Sequence, residues 1–352
     1  MLEFDSPLQL SPVFLPKIWG RDKLAPLFKR PASFPRHELI GEVWITANES
    51  RFMNGPIAGM TLAEASETLG KRLHGDNWKG QRFPLLAKYI YTSDWLSVQV
   101  HPDDKQAARF NPGERGKCEM WYMVSSGRKG SYLVGVKPGV TADRLRASFE
   151  HGTSRSDLQQ FHPKAGEAIF IPPGTVHALG PNLVLFEVEE NSDLTYRLDD
   201  FGRKGLDGKP RPLHIEKGMT VSRLDAPALR DLPIVRIKES WGSRRYVAAC
   251  GFFALEELTL QKRGVFQGRG HAVEVLSVLE GAGRVETPAG WMGYDTGDTW
   301  LIPPAAPEYR LVPRAKTRML KFYVPDVEKD FRKALQMRGV RASKIERITF
   351  AE

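Results

Sequence analysis

A nine-residue pattern that occurs twice constrains the fold of this chain more than any other feature. The run Ala-Gly-Glu-Ala-Ile-Phe-Ile-Pro-Pro at positions 165–173 returns as Thr-Gly-Asp-Thr-Trp-Leu-Ile-Pro-Pro at positions 296–304. A strand-like run that begins with glutamate lies upstream of each copy, at Glu119 and at Glu274. Repetition of a whole β unit indicates two copies of one β-rich domain.

The rest of the chain agrees with that interpretation. Most of residues 83–325 consists of short β-branched or aromatic runs separated by Gly, Pro, Asn and Asp, which is typical of a sandwich or barrel. Helices are predicted at three places: a capping box at Thr61 with a stop at Gly75, a segment from Thr141 to about His151, and residues 325–339.

The predicted fold class is therefore mainly β, with two β-barrel or jelly-roll domains and a few peripheral helices. We expect a first domain with small helical insertions at residues 1–235. A second β domain should follow at 236–325, and a helical tail at 326–352.

One strand, Leu-Ser-Val-Gln-Val-His at positions 96–101, carries a row of polar side chains. Strand residues alternate between two faces, so Ser97, Gln99 and His101 point one way while the apolar residues between them point into packing. Pro102 and the aspartates that follow should end the strand and hold His101. Such a polar face that ends at a turn suits the mouth of a barrel.

Two later motifs can complete a metal site. Glu119 begins a strand, and His177 follows a Pro-Pro-Gly turn. Together with Gln99 and His101 they would supply two imidazoles, one carboxylate and one amide oxygen. This set of nitrogen and oxygen ligands suits catalytic Zn²⁺, while Mn²⁺, Fe²⁺ and Co²⁺ remain possible.

The second copy of the repeat lacks these ligands. Glu308 stands at the offset of His177, and no His-x-His precedes Glu274. We therefore expect the second β domain to bind no metal and to serve packing or dimerisation, with His271 in a structural role.

Several ordered motifs in roughly the first two hundred residues resemble the type I mannose-6-phosphate isomerases of the cupin superfamily, in their short bacterial form. They are Gln-x-His-Pro-Asp-Asp from Gln99, Gly-Lys-x-Glu-x-Trp-Tyr from position 116, Pro-Gly-Thr-x-His-Ala from position 173, and the run from Asn191 to Arg203. Shorter matches include Trp19-Gly20 and the segment 41–44. The resemblance implies a bicupin with one Zn²⁺ per chain that interconverts mannose 6-phosphate and fructose 6-phosphate through an enediol.

The resemblance also implies roles for individual residues. Arg197 would steady an anionic enediolate because its guanidinium stays charged. Glu187 is a candidate for proton transfer, and the parity of its strand indicates that either Glu187 or Glu189 faces the interior. The remaining implied residues are Lys117 in catalysis and phosphate contact, and Ser97, Lys88 and Arg203 in phosphate binding.

Charge and composition exclude some partners. The net charge of +9 is spread among interleaved acids and bases, which disfavours nucleic-acid binding, and no apolar run approaches the roughly 20 residues of a membrane span. Two distant cysteines, Cys118 and Cys250, and an N-terminus without signal-peptide character favour a cytoplasmic protein. The predicted partner is a small phosphosugar, and the chain is expected to be a monomer or homodimer.

Two other function classes fit part of the pattern. A metal-dependent bicupin oxygenase would have a similar metal site inside its barrel, but it has no need for the cations Lys117, Arg197 and Arg203. A non-catalytic sugar-phosphate-binding cupin would be expected to have lost a ligand or Arg197, and all are present.

Overall fold

The computed structural model describes residues 6–76, 78, 80 and 82–350. Within that part of the chain, no helix is long and apolar enough to cross a membrane. The strands in chain order are β1 (Leu8–Leu10), β2 (Val13–Arg21), β3 (Ile40–Trp44), β4 (Leu85–Tyr91), β5 (Val98–Val100), β6 (Glu119–Ser126), β7 (Tyr132–Val136), β8 (Leu158–Phe161), β9 (Ala168–Ile171), β10 (His177–Leu179), β11 (Leu183–Glu190), β12 (Tyr196–Asp199), β13 (Val235–Glu239), β14 (Gly242–Ala249), β15 (Ala254–Leu260), β16 (Gly264–Phe266), β17 (Glu274–Glu280), β18 (Gly283–Thr287), β19 (Gly290–Tyr294), β20 (Thr299–Ile302), β21 (Tyr309–Pro313) and β22 (Thr317–Tyr323).

The helices lie at the periphery. They are α1 (Leu62–Leu69), α2 (Lys71–His74), α3 (Asp104–Phe110), α4 (Ala142–Glu150), α5 (Ile215–Val221), α6 (Ala334–Met337) and α7 (Ala342–Glu346), with a 3-10 turn at Ser154–Ser156 and a π-helical segment at Val327–Lys333.

Two sheets form the first barrel. One has six strands in the order β2-β3-β4-β11-β6-β9, and the other has five in the order β12-β5-β10-β7-β8. Apolar side chains of both sheets meet between them, among them Ile90 and Trp121 from the six-stranded sheet and Tyr132 and Leu179 from the five-stranded sheet. Helices α4 and α5 cover the outer face of the five-stranded sheet, where Leu145 and Val221 pack.

The second barrel repeats this plan. A seven-stranded sheet in the order β1-β20-β17-β22-β15-β14-β13 faces a four-stranded sheet in the order β16-β21-β18-β19. Leu276 and Trp300 from the larger sheet pack against Tyr294 and Leu311 from the smaller one. Strand β1 pairs with β20 at the edge of the larger sheet, with Leu8 opposite Leu301, so the beginning of the chain is built into the second barrel.

The two barrels share a core. The six-stranded sheet of the first and the seven-stranded sheet of the second pack face to face, and their outward side chains, including Tyr89, Phe186 and Phe322, belong to one buried cluster. The Phe186 and Phe322 rings lie 5.3 Å apart. A hydrogen bond of 2.6 Å between the hydroxyls of Tyr89 and Ser277 also crosses this interface.

The mainly β fold class is confirmed, and so are the predicted helix positions. Thr61 and Glu64 form the capping box of α1, and Thr141 caps α4. The C-terminal helical segment begins after Asp326, although its first turns are π-helical. The first five residues and the last two, which belong to the predicted domain ranges, lie outside the described residues.

Candidate metal centre

Strand β5 places its polar row inside the first barrel, as the alternation predicts. Val98 and Val100 pack outward against the cluster beneath α4 and α5, whereas Ser97 and Gln99 line the interior cavity. Strand β10 pairs beside β5 with His177 opposite Gln99, and β12 pairs on the other side with Arg197 opposite Gln99. Three neighbouring strands therefore bring functional side chains to one level of the barrel.

The predicted imidazoles and carboxylate converge. One ligand atom from each of His101, Glu119 and His177 lies within 4.8 Å of the others, and all three residues are buried. The distance from His177 Nε2 to Glu119 Oε1 is 3.1 Å, and that from His101 Nε2 to Glu119 Oε2 is 3.7 Å. These three side chains face one common point.

Hydrogen bonds orient both imidazoles for metal binding. His101 Nδ1 lies 2.9 Å from the carbonyl oxygen of Leu194, and His177 Nδ1 lies 2.8 Å from that of Thr175. A carbonyl oxygen only accepts, so each Nδ1 must carry the proton and each Nε2 keeps a free lone pair. A backbone partner on the distal nitrogen is the arrangement that fixes metal-ligating histidines.

The polar atoms at the common point lack other partners. His101 Nε2 and both Glu119 carboxylate oxygens are buried and form no hydrogen bond with the described residues. Burial lowers the pKa of His177 to about 4, and it raises the pKa of Glu119 to about 7, with the nearby Glu187 carboxylate adding to the rise. Neutral imidazoles beside a carboxylate that forms no hydrogen bond, and whose nearest ammonium is 3.5 Å away, fit a divalent cation, which would satisfy all of them.

Gln99 can be the fourth metal ligand if its side-chain amide is turned over. Its Nε2 lies 3.1 Å from His177 Nε2. Because the two ends of an amide exchange by rotation about its last torsion, Gln99 can present Oε1 in the same position.

A ladder of alternating charges crosses the six-stranded sheet toward this centre. Lys17 Nζ lies 3.2 Å from Glu42, and Lys88 Nζ lies 2.9 Å from Glu187 and 3.0 Å from Glu189. Lys117 then joins Glu189 at 2.6 Å and Glu119 at 3.5 Å. Buried charges are tolerated when each has partners of opposite sign, as here.

The ladder fixes the charge of Glu187. Burial alone would raise the pKa of this carboxyl, but the ammonium groups of Lys88 and Lys117 outweigh it and lower the pKa to about 2. Trp121 Nε1 donates to Glu187 Oε2 at 2.7 Å, so both carboxylate oxygens have partners. The expectation that either Glu187 or Glu189 faces the interior was too narrow, because both contact Lys88 in the first barrel.

The aspartates after His101 act differently from the prediction that they hold it. Asp103 caps α3, accepting from Gln106 N at 2.8 Å, and Asp104 accepts from Gly116 N at 2.8 Å. The partner of His101 is Leu194, which follows β11, so the contact depends on tertiary structure.

A cavity of about 540 Å³ lies beside the metal centre, lined by Gln99 and Lys117, which contact His177 and Glu119. Several predicted site residues line it: Lys88, Ser97, Gln99, Lys117, Glu187 and Arg197. The Arg197 Nη1 donates to the carbonyl of Pro212 at 3.0 Å, while its buried Nε has no hydrogen-bond partner among the described residues. One donor of this guanidinium is therefore free for a substrate oxygen.

Arg203 is not brought into the lining of this cavity. Its three side-chain nitrogens all donate hydrogen bonds to protein oxygens, which belong to Asp200, Asp94 and Trp95. The sequence offered no sign of this, because the carbonyl of Trp95 and the carboxylate of Asp94 lie more than a hundred residues away.

Five charged residues of the cavity lining received no role from the sequence: Lys17, Glu42, Asp193, Asp207 and Arg211. Lys17 precedes Trp19 by two positions on β2, so strand parity could have placed both on one face. Arg211 lies between two prolines in a loop, where no periodicity indicates its direction.

The second barrel holds a lysine where the first has its metal centre. Glu274 of β17 stands opposite Ile302 and Tyr323, as Glu119 of β6 stands opposite Ile171 and Glu189. By the same register Lys321 corresponds to Glu187, and Glu256 to Lys88, so the charges of that pair are reversed. Lys321 Nζ lies 2.9 Å from Glu274 and 3.6 Å from Glu256.

This ammonium lies 2.9 Å from Glu274, closer than the 3.5 Å between Lys117 Nζ and Glu119. His271 pairs with Asp330 at 3.0 Å, and Glu308 pairs with Arg310 at 2.8 Å. The groups of histidine, cysteine and acidic residues that could hold a metal within the described ranges all lie in the first barrel.

Comparison with known proteins agrees with this geometry. Residues 8–122 match the family model of the type I phosphomannose isomerase catalytic domain. A mannose-6-phosphate isomerase of Bacillus subtilis is 32% identical over 310 residues, covering 87% of this chain and 95% of the relative. One from Streptococcus mutans is 36% identical over 230 residues, covering 63% of this chain and 69% of the relative. The crystal structure of a mannose 6-phosphate isomerase from Bacillus subtilis superposes with a TM-score of 0.82 at 26% identity, covering 90% of this chain and 99% of that chain.

Proposed function

Because the chain belongs to the type I mannose-6-phosphate isomerase family, we propose that it interconverts mannose 6-phosphate and fructose 6-phosphate. The observation that carries the proposal is the convergence of His101, Glu119 and His177 beside Gln99 and Lys117, which line the same cavity as Arg197. An oxygenase or a non-catalytic binding protein is not favoured, since Lys117 and Arg197 line the cavity and the complete ligand set lies beside it, with Lys117 next to Glu119 and Gln99 next to His177.

The family is metal-dependent, and we assign the metal to Gln99, His101, Glu119 and His177. Nitrogen and oxygen ligands without a thiolate suit Zn²⁺, one per chain. When bound there, the cation supplies a Lewis acid that stabilises negative charge on a substrate oxygen.

Glu187 is our candidate for proton transfer. The isomerisation removes the proton from C2 of the open-chain aldose and returns one to C1, while the hydroxyl proton passes from O2 to O1 and the electron pair is held in an enediolate between these steps. Glu187 lines the cavity, and Trp121 and Lys88 hold its two oxygens in place. Lys117 links this carboxylate to Glu119, and so keeps the base and the metal centre in a fixed relation.

Arg197 has the arrangement expected of a residue that stabilises the enediolate. Its guanidinium lines the cavity, is held by the Pro212 carbonyl, and keeps the buried Nε free. A fixed donor aimed at developing charge is usually worth more to catalysis than one that must reorganise.

The phosphate of the substrate would lie away from the metal. Successive residues on one face of a strand are separated by roughly 6.7 Å, so Ser97 lies about 13 Å from His101 along β5. Both Ser97 and Lys88 line the cavity, which supports their proposed phosphate contacts. Arg203 would act on phosphate only through the loops that it ties together.

Three broader assignments remain proposals. A cytoplasmic location is consistent with Cys118 and Cys250, both of them buried and neither in a disulfide. A monomer or homodimer without nucleic-acid or membrane partners is our working assembly. Division of the chain near residues 235 and 325 is also proposed, with strand β1 joining the second barrel across that boundary.

The test is turnover by the purified protein. Conversion of mannose 6-phosphate would be followed by ³¹P NMR in protein as isolated, after chelation, and after Zn²⁺ is restored. We expect fructose 6-phosphate to form, to stop forming with chelator, and to return with zinc, whereas unphosphorylated mannose should react far more slowly. Absence of turnover in zinc-loaded, folded protein would refute the isomerase assignment.

A further inference from the structure

His214 and the residues just before it contact both the main chain and the guanidinium of Arg197. The Arg197 amide donates to His214 Nδ1 at 3.1 Å, and the His214 amide donates to the Arg197 carbonyl at 2.6 Å. Arg197 Nη1 donates to the carbonyl of Pro212 at 3.0 Å. One short stretch of chain therefore bonds to both polar groups of the Arg197 main chain and to one end of its side chain.

The position of Arg197 in the sheet explains why it needs such a partner. Its strand, β12, is an edge strand that pairs only with β5. Main-chain groups on the open side of an edge strand need partners from elsewhere in the protein. The amide and carbonyl of Arg197 are such groups, since both bond to His214. Gln99 stands opposite Arg197 on β5, and opposite residues whose main-chain groups point away from each other have Cα atoms only about 4.5 Å apart.

Helix α5 and strand β12 together hold His214 in place. His214 directly precedes the helix, and its carbonyl accepts from the Gly218 amide at 2.8 Å. A Cβ on Gly218 would overlap the side chain of Leu198, so the helix packs closely on β12 beside Arg197. The His214 ring also lies 6.2 Å from the ring of Tyr196, edge to face. These contacts restrict the movement of the imidazole.

His214 accepts a hydrogen bond through Nδ1 and must therefore be neutral. An amide N–H only donates, so Nδ1 presents its lone pair and the ring proton lies on Nε2. Burial lowers the pKa of His214, and the positive charges of Arg197 and Lys217 lower it further. The neutral ring that the geometry requires is thus the favoured form near pH 7.

From these contacts we propose that His214 is a positioning residue for Arg197, whose main chain it fixes so that the guanidinium stays in the cavity. The proposal rests on the proposed function, in which Arg197 stabilises the enediolate. His214 is not among the described residues that line the cavity, so it acts through Arg197 and not on the substrate. A donor already in place when charge develops needs no reorganisation, and a displacement of about 1 Å can cost 10²-fold in rate.

Two substitutions separate the hydrogen-bond acceptor of His214 from its ring. His214→Phe keeps an aromatic ring beside Tyr196 but removes the acceptor of the Arg197 amide. His214→Asn loses the ring, yet its Oδ1 stands at the same place along the side chain as Nδ1 and can accept from that amide. His162→Phe is the control, because His162 bonds the carbonyl of Gly130 in the same barrel, and neither residue belongs to the described lining of the cavity.

We expect His214→Phe to lower kcat by about 10- to 30-fold while KM stays within about threefold, because a displaced Arg197 weakens the transition state more than the ground state. The metal content should stay unchanged, since Arg197 is not among the proposed ligands. His214→Asn should keep kcat within about threefold of the wild-type value, because the hydrogen bond is restored. His162→Phe should leave kcat unchanged.

A double-mutant cycle distinguishes positioning from general stability. In an Arg197→Ala background, His214→Phe should lower kcat by less than about threefold, because the guanidinium that His214 positions is absent. The same loss of kcat in both backgrounds would overturn the proposal, since His214 would then act through the fold at large. Equal losses in His214→Phe and His214→Asn would also overturn it, because the acceptor would not matter.

Hydrogen exchange at the Arg197 amide tests the contact without turnover. Mass spectrometry with fragmentation to single residues should show slow exchange in the wild type, faster exchange in His214→Phe and slow exchange again in His214→Asn. A wild-type protein with this pattern that does not convert mannose 6-phosphate would support the contact and refute the isomerase. An unprotected Arg197 amide in a wild-type protein that turns over would overturn the positioning proposal and leave the isomerase assignment standing.

Discussion

At the scale of single residues, the two barrels differ in the partners of one equivalent buried glutamate. Glu119 is buried, neither of its oxygens forms a hydrogen bond with a described residue, and its nearest ammonium, Lys117 Nζ, lies 3.5 Å away. Glu274, at the same register of the second barrel, lies 2.9 Å from the Lys321 ammonium. One barrel thus leaves a place for a cation, and the other fills the corresponding place with its own lysine.

This difference predicts the behaviour of a matched pair of variants. Glu119→Gln should reduce bound metal from about one per chain to nearly none and lower kcat/KM by at least about 100-fold, because the only anionic ligand is neutralised. Glu274→Gln should keep the metal and lower the melting temperature. Elemental analysis of both purified variants decides the matter: equal metal loss in the two would contradict the assignment of the centre to the first barrel.

Arg197 provides a second residue-level prediction. Arg197→Ala should lower kcat by about 10²- to 10³-fold, the effect of removing one fixed donor from developing negative charge. The metal content should stay unchanged, since Arg197 is not among the proposed ligands. Steady-state kinetics with Arg128→Ala as an exposed control would check this. A change confined to KM would instead indicate a role in ground-state binding.

At the scale of elements, the start of β6 is set by a close approach of two backbone segments. A Cβ on Gly116 would lie 2.5 Å from the backbone of Asp103 and Asp104, and the Gly116 amide donates to Asp104. This contact joins the beginning of α3 to the residue before Lys117. Glycine is required here because a larger residue would not fit. The contact therefore fixes the positions of Lys117 and of Glu119 at the start of β6.

Gly116→Ala should therefore disturb both stability and metal binding. Overpacking against backbone costs about 1–3 kcal/mol, which would lower the melting temperature, and displacement of β6 should weaken metal affinity. Gly293→Ala is the control, because a Cβ there meets only Gly283 at 3.9 Å. Calorimetric unfolding with and without metal measures both effects; unchanged metal affinity in Gly116→Ala would show that β6 is positioned independently of α3.

The charged cluster of the second barrel should make stability depend on pH. Burial would raise the pKa of Glu256, but Lys321, Arg244 and Arg269 lower it to about 2, below its value in the unfolded chain. A depressed pKa in the folded state stabilises the protein above the unfolded pKa, near 4.5, and this contribution is lost as the pH falls toward 2.

Glu256→Gln removes that contribution at every pH. We expect its melting temperature to lie well below that of the wild type at pH 7, since breaking a buried ion pair costs about 3–5 kcal/mol. The difference should shrink as the pH falls from 5 to 3. Glu308→Gln, whose ion pair is exposed, serves as control. A difference that stays constant with pH would show that packing, rather than charge, is responsible.

Sequence patterns predicted some elements and missed others for physical reasons. The capping box at Thr61 and the alternation along β5 are local, so Thr61, Gln99 and His101 could be placed without a structure. Helix α3 buries only Ala107, so the sequence has no apolar periodicity from which this helix could be predicted. The contacts of Arg203 and Arg211 are made between loops distant in sequence, and no periodic pattern encodes them.

At the scale of the whole molecule, the repeat predicted two similar β units but not their attachment. The sheets pack through one shared core, with Phe186 against Phe322 and Tyr89 bonded to Ser277. Strand β1 joins the second barrel although β2 begins the first barrel only three residues after Leu10. Side chains that face a second domain look the same in sequence as those facing their own core, so only the structure separates the two sets.

The measurement that tests the account most directly is isomerase activity as a function of bound zinc in the intact chain. Metal-free protein would be titrated with Zn²⁺ while conversion of mannose 6-phosphate and metal per chain are recorded together. We predict activity that rises in proportion to bound metal and reaches its maximum at about one zinc per chain, because the second barrel carries Lys321 in place of a metal. Full activity without metal, or a maximum reached only at two per chain, would contradict the account.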